Sequence, residues 1–174
     1  MDKKKGILVV SFGTSHPVTR AATIEAIEDS ISKAFADIKV YRAWTSKMII
    51  SKIQKNTMEK IPTVNEALSQ MAADGITDVF IQPTHVINGI ENDIMKADAL
   101  KFRDSFDSIS FGVPLLSSTQ DMEELVHIII EAFPSLGNDE VLILMGHGSE
   151  HYANMAYAAL DYMFKQKGYS QIYV

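Results

Sequence analysis

Three short segments combine hydroxyl, imidazole and carboxylate side chains, the groups that transfer protons and bind divalent cations. The first is residues 11–16, SFGTSH, where Ser11 and Thr14 precede a predicted helix. Backbone N–H groups and the helix dipole stabilise an anion at such a position, so both residues are candidates for ligand binding. The alternative is a plain strand-to-helix turn in which Ser15 or His16 caps the helix.

The second segment is residues 82–91, QPTHVINGIE. Thr84, His85 and Glu91 place a hydroxyl, an imidazole and a carboxylate within one loop and the first turn of the next helix. We predict that Thr84 and His85 bind substrate and that Glu91 takes part in proton transfer. Glu91 and His85 have structural alternatives, because a carboxylate is favoured at a helix N-terminus and a histidine is often buried and hydrogen-bonded.

The third segment is residues 145–151, MGHGSEH, in which two glycines flank His147. Glycine lets a ligand approach the backbone closely, and a histidine at the carboxyl end of a strand is well placed as a base or a metal ligand. His151 follows four residues later. Because His147 precedes the predicted helix, the two histidines are not expected to share a helix face. His127 falls in an apolar helical stripe and is predicted to be structural.

The elements that carry these segments alternate between strand and helix. Continuous apolar runs, typical of strands covered on both faces, occur at residues 6–12, 38–44, 77–83, 108–113, 140–145 and 171–174. The intervening segments have a helical period: one begins at Pro17, one begins at Pro62 and ends at Gly75, one ends at Pro134, and a last one spans 149–167.

This alternation predicts an α/β fold with a doubly wound parallel sheet, whose ligands bind beyond the carboxyl ends of the strands. Residues 6–113 would supply four strands. A turn-rich segment at 134–139 precedes a strand and loop that resemble those at 8–15. We therefore predict one α/β domain at 1–134 and an incomplete second one at 139–174, since two strands bury too little to be stable alone.

Composition excludes several classes of protein. The net charge is −6, with no basic cluster beyond Lys3-Lys4-Lys5, so we expect no nucleic-acid partner. The absence of cysteine excludes disulfides, thiolate metal sites and a cysteine nucleophile. No phosphate-binding glycine motif is present, so we expect no nucleotide cofactor. The apolar runs are too short for a membrane span, and we expect a cytoplasmic protein without a membrane partner.

Four motifs, in order, resemble the anaerobic cobaltochelatase family CbiK. They are LVVSFGTS at 8–15, AWTSKMI at 43–49, QPTHVING at 82–89 and LMGHGSEH at 144–151. The resemblance implies a class II chelatase fold of two similar α/β domains. It also implies a lyase that inserts Co(II), as substrate metal, into the tetrapyrrole sirohydrochlorin during cobalamin biosynthesis.

Residue by residue, His147 matches the family's first active-site histidine, a metal ligand, and Glu91 matches an acidic residue that faces the tetrapyrrole cleft. Relatives continue past Val174 and carry a further glutamate and a second metal-site histidine there. We therefore expect a truncated form, which either belongs to a longer chain or self-associates through residues 140–174 as a homo-oligomer. A non-catalytic tetrapyrrole- or metal-binding module is the alternative function.

Overall fold

A computed structural model describes residues 3–137 and 139–174, so Met1, Asp2 and Asn138, the last within the predicted boundary segment, lie outside the described residues. The chain forms two compact units. Unit 1 runs to His85 and includes Glu91–Pro114, whereas unit 2 comprises Val86–Ile90 and Leu115–Val174. The two units are defined by packing within this chain. They do not test the predicted domains at 1–134 and 139–174, which stay a prediction.

Unit 1 contains a four-stranded sheet with the strand order β2-β1-β3-β4. Its strands are β1 (Lys5–Ser11), β2 (Lys39–Trp44), β3 (Asp78–Pro83) and β4 (Ser108–Phe111). All three pairings are parallel. The prediction of an α/β fold with a parallel sheet is confirmed. Consequently, the carboxyl ends of β1, β2 and β3 lie side by side at one edge.

Helices cover both faces of this sheet. The helices of the chain are α1 (Pro17–Arg20), α2 (Ala26–Ala34), α3 (Lys47–Thr57), α4 (Val64–Ala73), α5 (Ile90–Leu100), α6 (Thr119–Ala132) and α7 (Met155–Gln166), with a π-helical turn at Ala21–Glu25 between α1 and α2. Ala43 belongs to a core cluster with Leu68 of α4, and the next residue, Trp44, to a cluster with Ile24 and Ile53. Successive strand residues point to opposite faces, so the sheet is doubly wound.

Local signals explain where α4 begins and ends. Thr63 and Glu66 form a capping box at its start. At its end, Gly75 has a φ of +74°, and the N–H of Ile76 bonds to the carbonyl of Met71. This arrangement is a Schellman motif, which confirms the end predicted at Gly75.

Two helical segments differ from the prediction. Helix α3 was not predicted; Ser46 caps it by accepting a hydrogen bond from the N–H of Ile49. The last helix begins at Met155 rather than near residue 149, after a 3₁₀ turn at Tyr152–Asn154. The His151 ring accepts a bond from the N–H of Ala153 at 3.2 Å, and His151 itself has an extended backbone.

Unit 2 packs α6 and α7 against a two-stranded parallel sheet. Its strands are β5 (Leu142–Ile143) and β6 (Ile172–Tyr173). Val126, Leu160, Phe164 and Ile172 form the centre of its apolar core. No helix in the described part of the chain is long and apolar enough to cross a membrane.

Asp74 joins α4 to the amino edge of the sheet in unit 1. Its carboxylate accepts hydrogen bonds from Lys39 Nζ (2.6 Å), the Tyr41 hydroxyl (2.6 Å) and Gln70 Nε2 (2.7 Å). Lys4 Nζ donates to its carbonyl. The bonds from Lys39, Tyr41 and Gln70, in that order, hold the pKa of Asp74 well below its usual range.

A depressed pKa in the folded state gives stability that is present at neutral pH and is lost as pH falls below the unfolded value of about 4. Asp74→Asn should therefore lower the free energy of unfolding at pH 7, and the deficit should shrink as the pH falls below about 4. Urea denaturation of both proteins from pH 7 to pH 3 measures this, with Asp37→Asn at an exposed position as the control for lost charge. A deficit that is constant over this range would contradict the role of Asp74.

Candidate active site

The ends of β1 and β3 are joined by a bond between two of the predicted ligand residues. The Thr84 hydroxyl donates to the Ser11 hydroxyl at 2.8 Å, and Ser11 is buried. The N–H of Thr84 donates to the carbonyl of Val10, which continues the sheet pairing past the end of β3. The structure therefore brings Ser11 and Thr84 together at the predicted edge.

The loop after β1 has an internal hydrogen bond of its own. Thr14 Oγ1 accepts a bond from the N–H of His16 at 3.3 Å. His16 occupies the cap position of α1, but its side chain makes no capping bond within the described residues. The alternative in which the side chain of His16 caps the helix is therefore wrong, and Thr14 accepts a bond within the turn instead.

Trp44, the single tryptophan of the sequence, fixes this loop from the neighbouring strand. Gly13 has a φ of +102°, and a Cβ atom at this position would lie 2.5 Å from Cε3 of Trp44. The Arg20 guanidinium lies 5.3 Å from the centre of the indole ring. Two bonds of 2.7 Å join Arg20 to Glu59 and hold it there. Trp44 stands at the end of an apolar run, which was a usable sequence signal for this role.

Gln82 fixes the start of the second loop. Its side-chain amide donates to the carbonyl of Pro83 at 2.9 Å and to the carbonyl of Val113 at 3.2 Å. This links the end of β3 to the chain that follows β4. This role of Gln82 has no local sequence signal, because its partner Val113 is 31 residues away.

His85 is partly buried, and both of its ring nitrogens are buried without a hydrogen-bond partner among the described residues. The structural alternative for His85 was an imidazole that is both buried and hydrogen-bonded. The structure shows the burial of its ring nitrogens but no hydrogen bond to them among the described residues. Burial lowers the pKa of His85, and the carboxylate of Glu91 at the start of α5 opposes that change by raising it. His85 is therefore neutral at pH 7 and able to donate from one nitrogen and accept at the other.

His147 follows β5 in unit 2 and is exposed. The next residue, Gly148, has a φ of +74°, and the N–H of Ser149 bonds to Asn154 Oδ1. His151 is partly buried, with its ring 4.3 Å from that of Tyr152. Within residues 3–137 and 139–174, no group of three or more His, Asp or Glu side chains is arranged to hold a metal ion. The roles predicted for His147 and Glu91 stay predictions.

The chain matches the family model "Cobalt chelatase (CbiK)" over residues 5–174. It belongs to the CbiK family. It is 41% identical over 160 residues to the sirohydrochlorin cobaltochelatase of Salmonella typhimurium, covering 92% of this chain and 61% of that protein. It is 31% identical over 160 residues to sirohydrochlorin cobaltochelatase CbiKC of Nitratidesulfovibrio vulgaris, covering 90% of this chain and 56% of that protein. The resemblance to CbiK is thus confirmed, and the chain spans about three fifths of the length of these relatives.

The contact between Gly13 and Trp44 gives a stability prediction. Gly13→Ala should lower the free energy of unfolding by about 3 kcal/mol, because the new methyl group overlaps the indole ring and the backbone has a positive φ. Gly75→Ala is the control: its φ is also positive, but no described atom lies within 4 Å of the new methyl group. It should cost only about 1 kcal/mol. Equal losses in chemical denaturation would show that Trp44 does not constrain the loop.

A second prediction concerns the charge state of His85. Its pKa, measured by NMR titration of the ring, should lie below the ordinary value of 6.5. Glu91→Gln should lower the pKa further, because it removes the negative charge that favours the imidazolium. Asp98→Asn, on the same helix, should leave it nearly unchanged. A pKa at or above 6.5, or a rise in Glu91→Gln, would contradict the described surroundings of His85.

Proposed function

We propose that this chain acts in the insertion of Co(II) into sirohydrochlorin, within anaerobic cobalamin biosynthesis. The observation that supports this most strongly is the family match over residues 5–174, which includes every predicted site residue. In this proposal, residues 1–134 form the first α/β domain of the chelatase fold and residues 139–174 begin the second.

The chemistry of metallation sets what the site must do. Two pyrrole N–H protons must leave the ring, and water must leave the divalent cation. A base with a pKa near neutrality assists the first step, and histidine is the side chain suited to it. Imidazole also suits Co(II) as a ligand, while a carboxylate oxygen binds it weakly enough to release it.

The proposed roles follow from these requirements. His147 binds the incoming Co(II), which is consistent with its exposed position between two glycines. Glu91 accepts a pyrrole proton or assists delivery of the metal. Ser11, Thr14, Thr84 and His85 bind the tetrapyrrole. For Ser11 and Thr84, their direct hydrogen bond supports a shared role.

Recognition of the substrate has to overcome an unfavourable overall charge. Sirohydrochlorin bears several carboxylates, and the chain has a net charge of −6. Two arginines of unit 1 are held in internal ion pairs, Arg20 with Glu59 and Arg42 with Glu28. Neutral donors such as hydroxyls, imidazole and backbone N–H groups therefore supply the recognition in this proposal.

The test is cobalt insertion by the purified chain, followed through the change in the absorption spectrum of the ring. His147→Ala should reduce the initial rate at least about a hundredfold, because it removes both a metal ligand and a base. His127→Ala is the matched control. His127 lies on α6 and is exposed, so the prediction that it belongs to the apolar stripe of that helix is wrong. Its loss should leave the rate within about twofold.

Equal rates for His147→Ala and the unsubstituted chain would refute the role of His147. Binding of sirohydrochlorin with no turnover by the unsubstituted chain would instead favour the alternative function, a non-catalytic tetrapyrrole-binding module. Absence of both binding and turnover would contradict the proposal as a whole.

A further inference from the structure

The segment that carries His147 is tied to the start of α7 at two points. It follows β5, and His147 lies in it between Gly146 and Gly148. A glycine loses more conformational freedom on ordering than any other residue. A side chain that meets an incoming metal ion has to be held close to its productive position. The contacts that limit the freedom of this backbone therefore bear on the proposed role of His147.

The first contact joins Gly146 to the ring of Tyr157 on α7. A Cβ atom at Gly146 would lie 2.8 Å from Cε1 and 2.9 Å from Cζ of that ring. Neither distance leaves room for a methyl group, so only glycine fits beside the ring. The φ of Gly146 is not positive, and the close approach of Tyr157 is therefore what requires glycine here.

The second contact lies on the other side of His147. Gly148 has a φ of +74°, and no described atom beyond its chain neighbours lies within 4 Å of the place that its Cβ would take. The N–H of the next residue, Ser149, donates to Oδ1 of Asn154 at 3.0 Å. The N–H of Asn154 donates to the carbonyl of His151 at 2.9 Å, which closes a turn just before α7. Asn154 thus fixes the chain two residues after His147.

Tyr157 and Asn154 contribute to this segment rather than to the apolar core of unit 2. Asn154 is exposed and Tyr157 is partly buried. Among the described residues, the core of unit 2 and the apolar side chains packed against it do not include Tyr157. The imidazole of His147 stays exposed. The two contacts therefore restrict the backbone on both sides of His147 and leave its ring open to a ligand.

We propose that Tyr157 and Asn154 are positioning residues for His147, which hold its backbone in place before Co(II) arrives. This inference rests on the proposed function, in which His147 binds the incoming Co(II), and it adds two residues that act through the backbone. Because the segment is ordered in advance, less conformational entropy is lost when the metal binds. The affinity for Co(II) then depends on both residues, although neither is a ligand.

The test is the affinity of His147 for Co(II) alone, without tetrapyrrole. Titration of the purified chain with Co(II), followed by paramagnetic broadening of the His147 ring signals in NMR, gives an apparent dissociation constant for this side chain. Asn154→Ala and Tyr157→Ala should each raise this constant about tenfold, because at least one backbone residue is freed. Asn154→Asp keeps the acceptor oxygen and should bind Co(II) at least as tightly as the unsubstituted chain.

Two controls separate positioning from the stability of unit 2. Tyr162→Ala removes an aromatic ring that is 63% exposed from the same helix, and it should leave the dissociation constant unchanged. Gly168→Ala introduces strain after the far end of α7, where φ is +88° and no described atom beyond the chain neighbours lies within 4 Å of the new methyl group. It should lower the melting temperature by a few degrees and also leave the dissociation constant unchanged.

A double-mutant cycle tests the contact between Gly146 and Tyr157 itself. Gly146→Ala alone should weaken Co(II) binding about tenfold, because the methyl group displaces the segment from the ring. In a Tyr157→Ala background the space is free, and Gly146→Ala should add no more than about a twofold loss. If the two losses multiply instead, the residues do not act through one contact and the role of Tyr157 is refuted.

The outcomes distinguish this inference from the proposed function. If Co(II) does not broaden the His147 ring of the unsubstituted chain, His147 is not a metal ligand and both proposals fail. If it does, and Asn154→Ala and Tyr157→Ala bind Co(II) as tightly as the unsubstituted chain, only the positioning role is refuted. Weaker binding in Gly168→Ala as well would assign the losses to reduced stability and would also refute that role.

Discussion

The parallel pairing of β1 with both of its neighbours determines where the polar groups of unit 1 lie. Because β2 and β3 flank β1 in the same direction, residues that follow the three strands become neighbours although they are far apart in sequence. The bond between Ser11 and Thr84, which are 73 residues apart, depends on that pairing. So does the contact of Trp44 with the loop at Gly13. The candidate site of unit 1 is thus a product of sheet topology.

The two edges of this sheet differ in how fully their polar groups are paired. At the amino edge, Asp74 and Asp78 accept hydrogen bonds from several neighbours, which stabilises the fold. At the carboxyl edge, Thr45 and His85 keep buried polar atoms without a partner among the described residues.

The strands and the family could be predicted from the sequence, whereas the pairing of side chains could not. Continuous apolar runs located the four strands of unit 1 to within two residues, since strands covered on both faces have a strong local pattern. Helix α3 was missed, although Ser46 at its start is a capping residue that can be read from the sequence. The position of Gln82 gained meaning only from tertiary contacts, which a local pattern does not contain.

The central claim is that the carboxyl edge of the unit 1 sheet binds the tetrapyrrole. Hydrogen–deuterium exchange of the purified chain, with and without sirohydrochlorin, tests this claim most directly. The account predicts slower exchange on binding in the loops at residues 11–16, 44–46 and 84–91, with the surroundings of Lys4 and Asp74 unchanged. Slower exchange at the amino edge, with none in those three loops, would contradict it.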